Sequence, residues 1–153
     1  MDDFALAPAE RALFRALHAR DVRFIIIGLG AALLEGAPVS TQDLDLWLDQ
    51  PGSDAVRQAA VDAGGFWLPG FGVQPPRFGG PGFERIDVVL TAHGLDPFDV
   101  EYARSLSIDV DDIPLRVLSL ERVITSKRTT NRPKDQAALP ALEATLLARR
   151  RGE

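Results

Sequence analysis

Thr41-Gln42-Asp43-Leu44-Asp45-Leu46-Trp47-Leu48 alternates polar with apolar side chains, the pattern of a strand with one buried face. Residues two apart in a strand point to the same side, with Cα atoms about 6.5 to 7 Å apart, so Asp43 and Asp45 share a face. Leu44, Leu46 and Leu48 take the other face and anchor the strand to a core, which fixes the direction in which the aspartates project. Two parallel carboxylates repel each other. Unless they are well solvated, one takes up a proton or a divalent cation offsets the charge. Magnesium suits such a pair because it needs few protein carboxylates, keeps waters and accepts phosphate oxygens. By itself an Asp-x-Asp pair reads first as the wet face of an edge strand. An EF-hand is excluded, since Trp47 stands where that loop needs an oxygen ligand.

A further acid lies downstream. Arg85-Ile86-Asp87-Val88-Val89-Leu90 sets one aspartate in an apolar run, expected to be a strand from Phe83 to Leu90. A charge there is costly unless paired, hydrated or bound to metal. Asp87 is therefore a natural third carboxylate if its strand lies beside that of Asp43 and Asp45; the alternative is a strand end. Three carboxylates can hold two divalent ions about 3.5 to 4 Å apart, one activating an attacking oxygen and one stabilising a departing pyrophosphate.

Working outward, Pro8 suits a first helical turn, and Ala9, Leu13, Phe14 and Leu17 predict a helix to about Arg20. Val22 to Ile27 reads as a buried strand that stops at Gly28-Leu29-Gly30, a tight turn before a short helix, Ala31 to Glu35. Free amides at such a turn can take a phosphate, although glycine there also serves backbone geometry alone. Ser53 to Ala63 predicts a helix, and Gly64 to Gly82 short strands joined by turns. Trp67, Phe71 and Phe78 are expected to fill the core beneath those loops rather than to stack a base. Ile113 to Leu118 reads as a strand. Ser119 caps a helix to about Thr130, Asn131 ends it, and Pro133 opens another. Pro140 predicts a kink or two short helices ending near Arg149. The acidic stretch Asp96 to Asp112 is assigned no element beyond the strand that follows it. His18 and His93 have no local nucleophile or metal motif beside them and are expected at the surface. The order of elements is that of a mixed α/β fold, one domain over 1–153 with a core of about 8–118 and a helical part of about 119–150.

The bulk composition agrees. At 153 residues, 46% hydrophobic and 25% charged, the chain falls in the range of one soluble globular domain. Folding at this length buries roughly 70% of the unfolded surface, so no disulfide or structural zinc is required. With no cysteine, thiol catalysis and cysteine-ligated metals are excluded. No apolar run approaches the roughly 20 residues of a membrane span, and Met1-Asp2-Asp3 lacks the basic start of a signal peptide, so no membrane and a cytoplasmic location are expected. A net charge of −5 argues against a surface that grips nucleic acid throughout, but Arg122 to Arg151 is locally basic and can hold a phosphorylated ligand.

Taken together, Ile26-Ile27-Gly28, Gly36-Ala37-Pro38 and Thr41-Gln42-Asp43-Leu44-Asp45-Leu46 resemble the first motif of the polymerase-beta-like nucleotidyltransferase superfamily, in which a glycine turn precedes an Asp-x-Asp strand. Asp87 fits that family's third acid. Val117-Leu118-Ser119-Leu120-Glu121 through Lys127 to Arg132-Pro133-Lys134-Asp135 is similar to the ending of its minimal, abortive-infection-toxin-like members, a toxin-antitoxin-associated group. The resemblance spans about Val22 to Leu142 and is weakest between Ala63 and Gly82. It implies a nucleotidyltransferase fold: a small mixed β-sheet flanked by helices, with C-terminal helices. It also implies an enzyme dependent on Mg2+ or Mn2+ that moves a nucleoside monophosphate from a nucleoside triphosphate to a hydroxyl of RNA such as tRNA, of protein or of a small molecule, releasing pyrophosphate. The same resemblance implies catalytic and metal-binding roles for Asp43, Asp45 and Asp87. Its nucleotide site would comprise Gly28, Leu29, Gly30, Thr41, Lys127 and Asp135, with Lys127 on the phosphates and Asp135 orienting Lys127 or the substrate. A cognate toxin or antitoxin is the implied partner. Two positions depart from the pattern: Leu29 stands where the family usually has glycine or serine, and Val39 where many relatives carry a basic residue. Both remove phosphate-facing features, and they motivate the rival expectation of a catalytically inactive antitoxin or regulatory partner.

Overall fold

The computed structural model describes residues 4–152; Met1 to Asp3, on which the reading of the N-terminus rests, lie outside it, as does Glu153. Helix α1 (Pro8–Ala19) starts at Pro8, and its buried stripe includes Leu13, Phe14 and Leu17. Strand β1 (Phe24–Ile27) is buried at every residue. It passes into α2 (Gly28–Leu34) without the separate turn expected between them: Gly28 is itself the first helical residue, and its φ of +68° makes the change of direction. Then come β2 (Leu44–Leu48), α3 (Asp54–Asp62) with Ser53 as its cap, and a two-stranded hairpin of β3 (Phe66–Leu68) and β4 (Arg77–Gly79). Strand β5 (Ile86–Val89), helix α4 (Phe98–Arg104), and strands β6 (Leu106–Val110) and β7 (Ile113–Val117) follow. Helices α5 (Leu120–Thr130) and α6 (Pro133–Arg150) end the chain.

The main sheet has the order β5-β2-β1-β7-β6. It is mixed: β1 runs antiparallel to β2 and parallel to β7, while β2 runs parallel to β5. Directly paired residues share a face, so Phe24, Ile26, Leu46 and Leu48 lie on one side and Ile25, Ile27, Asp45 and Trp47 on the other. The first side receives α1, where Phe14 meets Phe24 at 5.3 Å between ring centroids. On the second side Trp47 is covered by Phe98 of α4, edge to face at 5.2 Å, whereas Asp45 is left facing a cleft. Two buried glutamates tie the layers together. Glu10 accepts from Arg85 Nε at 2.6 Å and so fixes α1 to the start of β5. Glu101 accepts from Arg122 Nη2 at 2.5 Å, joining α4 to α5. Removing one partner of such a pair strands a buried charge, at a cost of about 3 to 5 kcal/mol.

Several expectations are corrected. The strand expected from Phe83 begins only at Ile86, because Phe83 turns into the core and its carbonyl accepts from the Ile86 amide in a turn. The stretch Asp96 to Asp112 holds both α4 and β6, and three of its acids are paired: Asp96 with Arg104, Asp99 with Arg23, Glu101 with Arg122. A turn with positive φ at both Asp111 and Asp112 then joins β6 to β7, the backbone handedness a two-residue hairpin requires. Helix α6 runs through Pro140 as one element rather than two; Pro140 is exposed, so the Gln136 carbonyl it leaves without an amide partner lies toward the solvent side. Of the three aromatics expected in the core, Phe78 is buried and Trp67 half-buried against it, but Phe71 is 85% exposed at the hairpin tip. His18 is half-buried, hydrogen-bonded to the Pro114 carbonyl and resting on Phe24. Among the described residues, no helix is long and apolar enough to cross a membrane.

Candidate active site

The register of β2 with β5 places Asp45 directly beside Asp87. Neighbouring strands lie about 4.8 Å apart, so these two carboxylates emerge side by side from one face of the sheet. Asp43 lies just before β2, held by Thr41, whose hydroxyl accepts from the Asp43 amide at 3.2 Å. Burial first, and then the charges of Asp87 and Asp43, push the Asp45 carboxyl above its ordinary value, against the pull of Lys127 and Lys134. Partial desolvation, followed by the charge of Asp43, raises Asp87 likewise. Like charges directly opposite on adjacent strands are destabilising unless something offsets them.

Gly28 is shaped to Asp45. A Cβ at position 28 would sit 2.6 Å from Asp45 Oδ2, in addition to the strain of φ +68°. At Gly30 a Cβ would come within 3.1 Å of the Leu44 side chain, so that glycine seats α2 on the end of β2. Gly28 lines the cleft beside Asp45, while Gly30 is buried behind it and Leu29 packs against the core. Of the three residues expected to form a phosphate turn, the structure thus brings one to the cleft wall.

Opposite Asp45 stands a basic corner. Ser119 caps α5 and Asn131 ends it with φ +50°; Pro133 opens α6. This short connection presents Lys127, Arg132 and Lys134 to a cleft of about 620 Å³ that also contains Ile27, Gly28 and Asp45. Asp135 organises the corner. Fully buried, it accepts from Thr130 Oγ1 at 2.7 Å, from the Arg132 amide at 3.0 Å and Nε at 2.8 Å, and from Lys127 Nζ at 3.3 Å. Burial alone would raise its carboxyl, but the hydrogen bonds from Arg132, Thr130 and Lys127 outweigh it and hold Asp135 well below the usual carboxylate range. Lys127 pairs with Asp135 at 3.3 Å, and its charge also acts on Asp45.

Arg132, Lys134, Ser126, Thr129 and His93 also line the cleft and were not singled out as site residues by the sequence. The basic Arg-x-Lys spacing was the available signal for the first two. His93 enters because Gly94, at φ +78°, presses its loop against Thr129, and Ser126 Oγ donates to the His93 carbonyl at 2.8 Å. Asp87 does not line this cleft; it opens instead on a second groove along the outer edge of β5.

A cation fits this chemistry, since two carboxylates side by side on neighbouring strands repel each other and a divalent ion offsets their charge. Among the described residues, however, no group of three or more His, Asp or Glu side chains is arranged to hold a metal ion, so the expected three-carboxylate cage is not preformed. Asp43 and Asp87 are both exposed.

No protein-family model matches the chain, and no curated protein matches it. Solved structures do. The solution structure of the antibiotic-resistance factor ANT(2'')-Ia aligns with a TM-score of 0.58 at 14% identity, covering 90% of this chain and 82% of the other. A crystal structure of ANT(2'')-Ia in complex with adenylyl-2''-tobramycin aligns with a TM-score of 0.55, also at 14% identity, covering 89% and 86%. The chain has the nucleotidyltransferase fold. Within that fold, the cleft between the Asp45 end of β2 and the corner between α5 and α6 sets the Asp45 carboxylate against clustered cations.

Proposed function

We propose that the protein is a nucleotidyltransferase, moving a nucleoside monophosphate from a nucleoside triphosphate to a hydroxyl acceptor. The observation that carries this reading is the opposition, across one cleft, of Asp45 and the cations Lys127, Arg132 and Lys134, with Asp87 beside Asp45 on the neighbouring strand at the margin of that cleft. The likeness to a fold seen bound to an adenylyl-antibiotic supports it. In this reading the triphosphate lies along the basic corner, where Lys127 and Arg132 offset its charge and Gly28 lets it approach Asp45. The acceptor oxygen bonds to the α-phosphorus, its proton passes to Asp87, and the bond from that phosphorus to the bridging oxygen breaks as pyrophosphate leaves beside Lys127.

Mg2+ or Mn2+ would be held by Asp45 and Asp87, with Asp43 closing in, and would polarise the phosphate while neutralising charge. Thr41 sets the position of Asp43, and Asp135 that of Lys127. Leu29, whose side chain packs against the core, keeps the fold but contributes no hydroxyl, so Lys127 and Arg132 carry the phosphate contacts. We place the activity in one domain and in the cytoplasm. A toxin or antitoxin partner, like a tRNA or protein acceptor, rests on the resemblance of the C-terminal segment alone.

The test is pyrophosphate release from ATP, GTP, CTP and UTP with Mg2+ or Mn2+, comparing the wild type with Asp45→Asn and Asp87→Asn. The reading expects release from at least one nucleotide, reduced by about 10²-fold or more in each variant. Release that persists in both variants would refute it.

A further inference from the structure

The two partnered carboxylates open on different spaces. Asp45 lines the cleft with the cations, whereas Asp87 lines a separate groove of about 400 Å³ between β5 and the β3–β4 hairpin. The groove is built from the segment richest in glycine, proline and aromatic residues. Its floor is Phe78 and Phe83, both buried, and its wall is the half-exposed Phe66 together with Pro75 and Pro76.

Glycines let these rings lie against bare backbone. A Cβ at Gly79 would meet the Phe66 ring at 2.4 Å, and one at Gly65 would meet the Phe83 ring at 2.5 Å. The result is a groove of rings and prolines with the exposed carboxylate of Asp87 in its lining. Its charged residues are Arg77, Glu84 and Asp87, and Glu84 already accepts from the Gly82 amide. That set is too nearly balanced to draw in a polycation.

Resting on the transfer reading above, we infer that this groove is the acceptor site and that its acceptor is a small alcohol with a planar apolar body, its hydroxyl directed at Asp87. The volume is that of a small-molecule pocket, and the lining of rings and prolines with few polar groups is that of an apolar ligand. Continuity with the reacting centre follows from the register, since Asp87 is the neighbour of Asp45 across the strand pair. A polyamine such as the tobramycin of the structurally similar ANT(2'')-Ia complex would need more acids than Glu84 and Asp87 supply.

Naphthylmethanol is the probe, with tobramycin as the contrasting ligand. Titration of the full chain followed by amide NMR should move Phe66, Phe78, Gly79 and Asp87 with naphthylmethanol and leave them still with tobramycin. Phe66→Ala should weaken naphthylmethanol binding about tenfold or more, and Phe66→Leu, which keeps apolar cover over Gly79, should weaken it as well. With Mg2+ and α-labelled nucleoside triphosphate, naphthylmethanol should become labelled. Shifts confined to the groove without label on any alcohol would overturn the transfer reading beneath the proposal. Label passing to tobramycin or RNA, with no groove shifts from naphthylmethanol, would keep the transfer and overturn the acceptor assignment.

Discussion

Replacing Asp135 should be the most costly single change in the basic corner. Asp135→Ala removes a buried acceptor from Lys127, Thr130 and Arg132 together. Lys127 is only 12% exposed and has little water to replace the bond, so its share is about 1.5 to 3 kcal/mol. The Thr130 hydroxyl adds about 1 kcal/mol, and loss of the cap on the Arg132 amide about 1 kcal/mol more. Arg132 is 54% exposed and can turn to solvent, so its guanidinium is counted as nothing. The expected loss is about 3 to 5 kcal/mol, in line with breaking a buried ion pair. In a domain of this size that lowers the melting temperature by roughly 6 to 20 °C. Urea unfolding should show a lower midpoint at an unchanged slope. Asp135→Asn keeps the shape and one acceptor oxygen and should lose about half as much. Because the folded-state pKa of Asp135 lies below its unfolded value, its contribution is complete above about pH 4 and disappears as the pH falls further. A loss below about 1 kcal/mol for Asp135→Ala at pH 7 would refute the reasoning, since that is the size of an ordinary surface substitution.

Gly28→Ala should cost about 1 to 2 kcal/mol through its φ of +68° and also displace the Asp45 carboxylate, so pyrophosphate release should fall by about 10²-fold while the far-ultraviolet spectrum is kept. Lys127→Ala should reduce release about 10²- to 10³-fold, measured at saturating nucleotide. The pH dependence of the metal-free protein should have the opposite sign to that of Asp135. Asp45 and Asp87 have folded pKa values above their unfolded ones, so the stability linked to them is present when they are protonated and is lost as pH rises through those values. Melting temperature should therefore rise on acidification from neutral pH toward the ordinary carboxylate range, and Asp45→Asn should flatten that rise. Adding Mg2+ at neutral pH should raise the melting temperature of the wild type and leave that of Asp45→Asn unchanged.

The elements that were legible in the sequence are those with a strong local cause. Pro8, Ser53, Ser119, Asn131 and Pro133 each mark the helix boundary the sequence suggests, and the alternation around Asp43 to Leu48 gives β2 its face. The Asp45–Asp87 pairing was conditional in the sequence, because period-two spacing fixes a face but not a neighbour; the register supplies the neighbour. Helix α4 was hidden because its acids break the apolar pattern, and their strongest partners, Arg23 and Arg122, are distant in the chain. Strand β6 carried a readable signal, apolar Leu106, Ile108 and Val110 at every second place, masked by the acidic composition around it. The division of the site into a cleft at Asp45 and a groove at Asp87 was not legible, since it depends on where the glycine-rich hairpin lies beside the edge strand.

The most direct measurement compares label from two forms of the same nucleoside triphosphate, one carrying it at the α-phosphate and the other at the γ-phosphate, each incubated with the protein, Mg2+ and a hydroxyl acceptor. Nucleotidyl transfer predicts label on the acceptor from the α form only, with pyrophosphate carrying the γ label, and loss of both signals in Asp45→Asn. Label on the acceptor from the γ form, or acceptor labelling that survives in Asp45→Asn, would contradict the account.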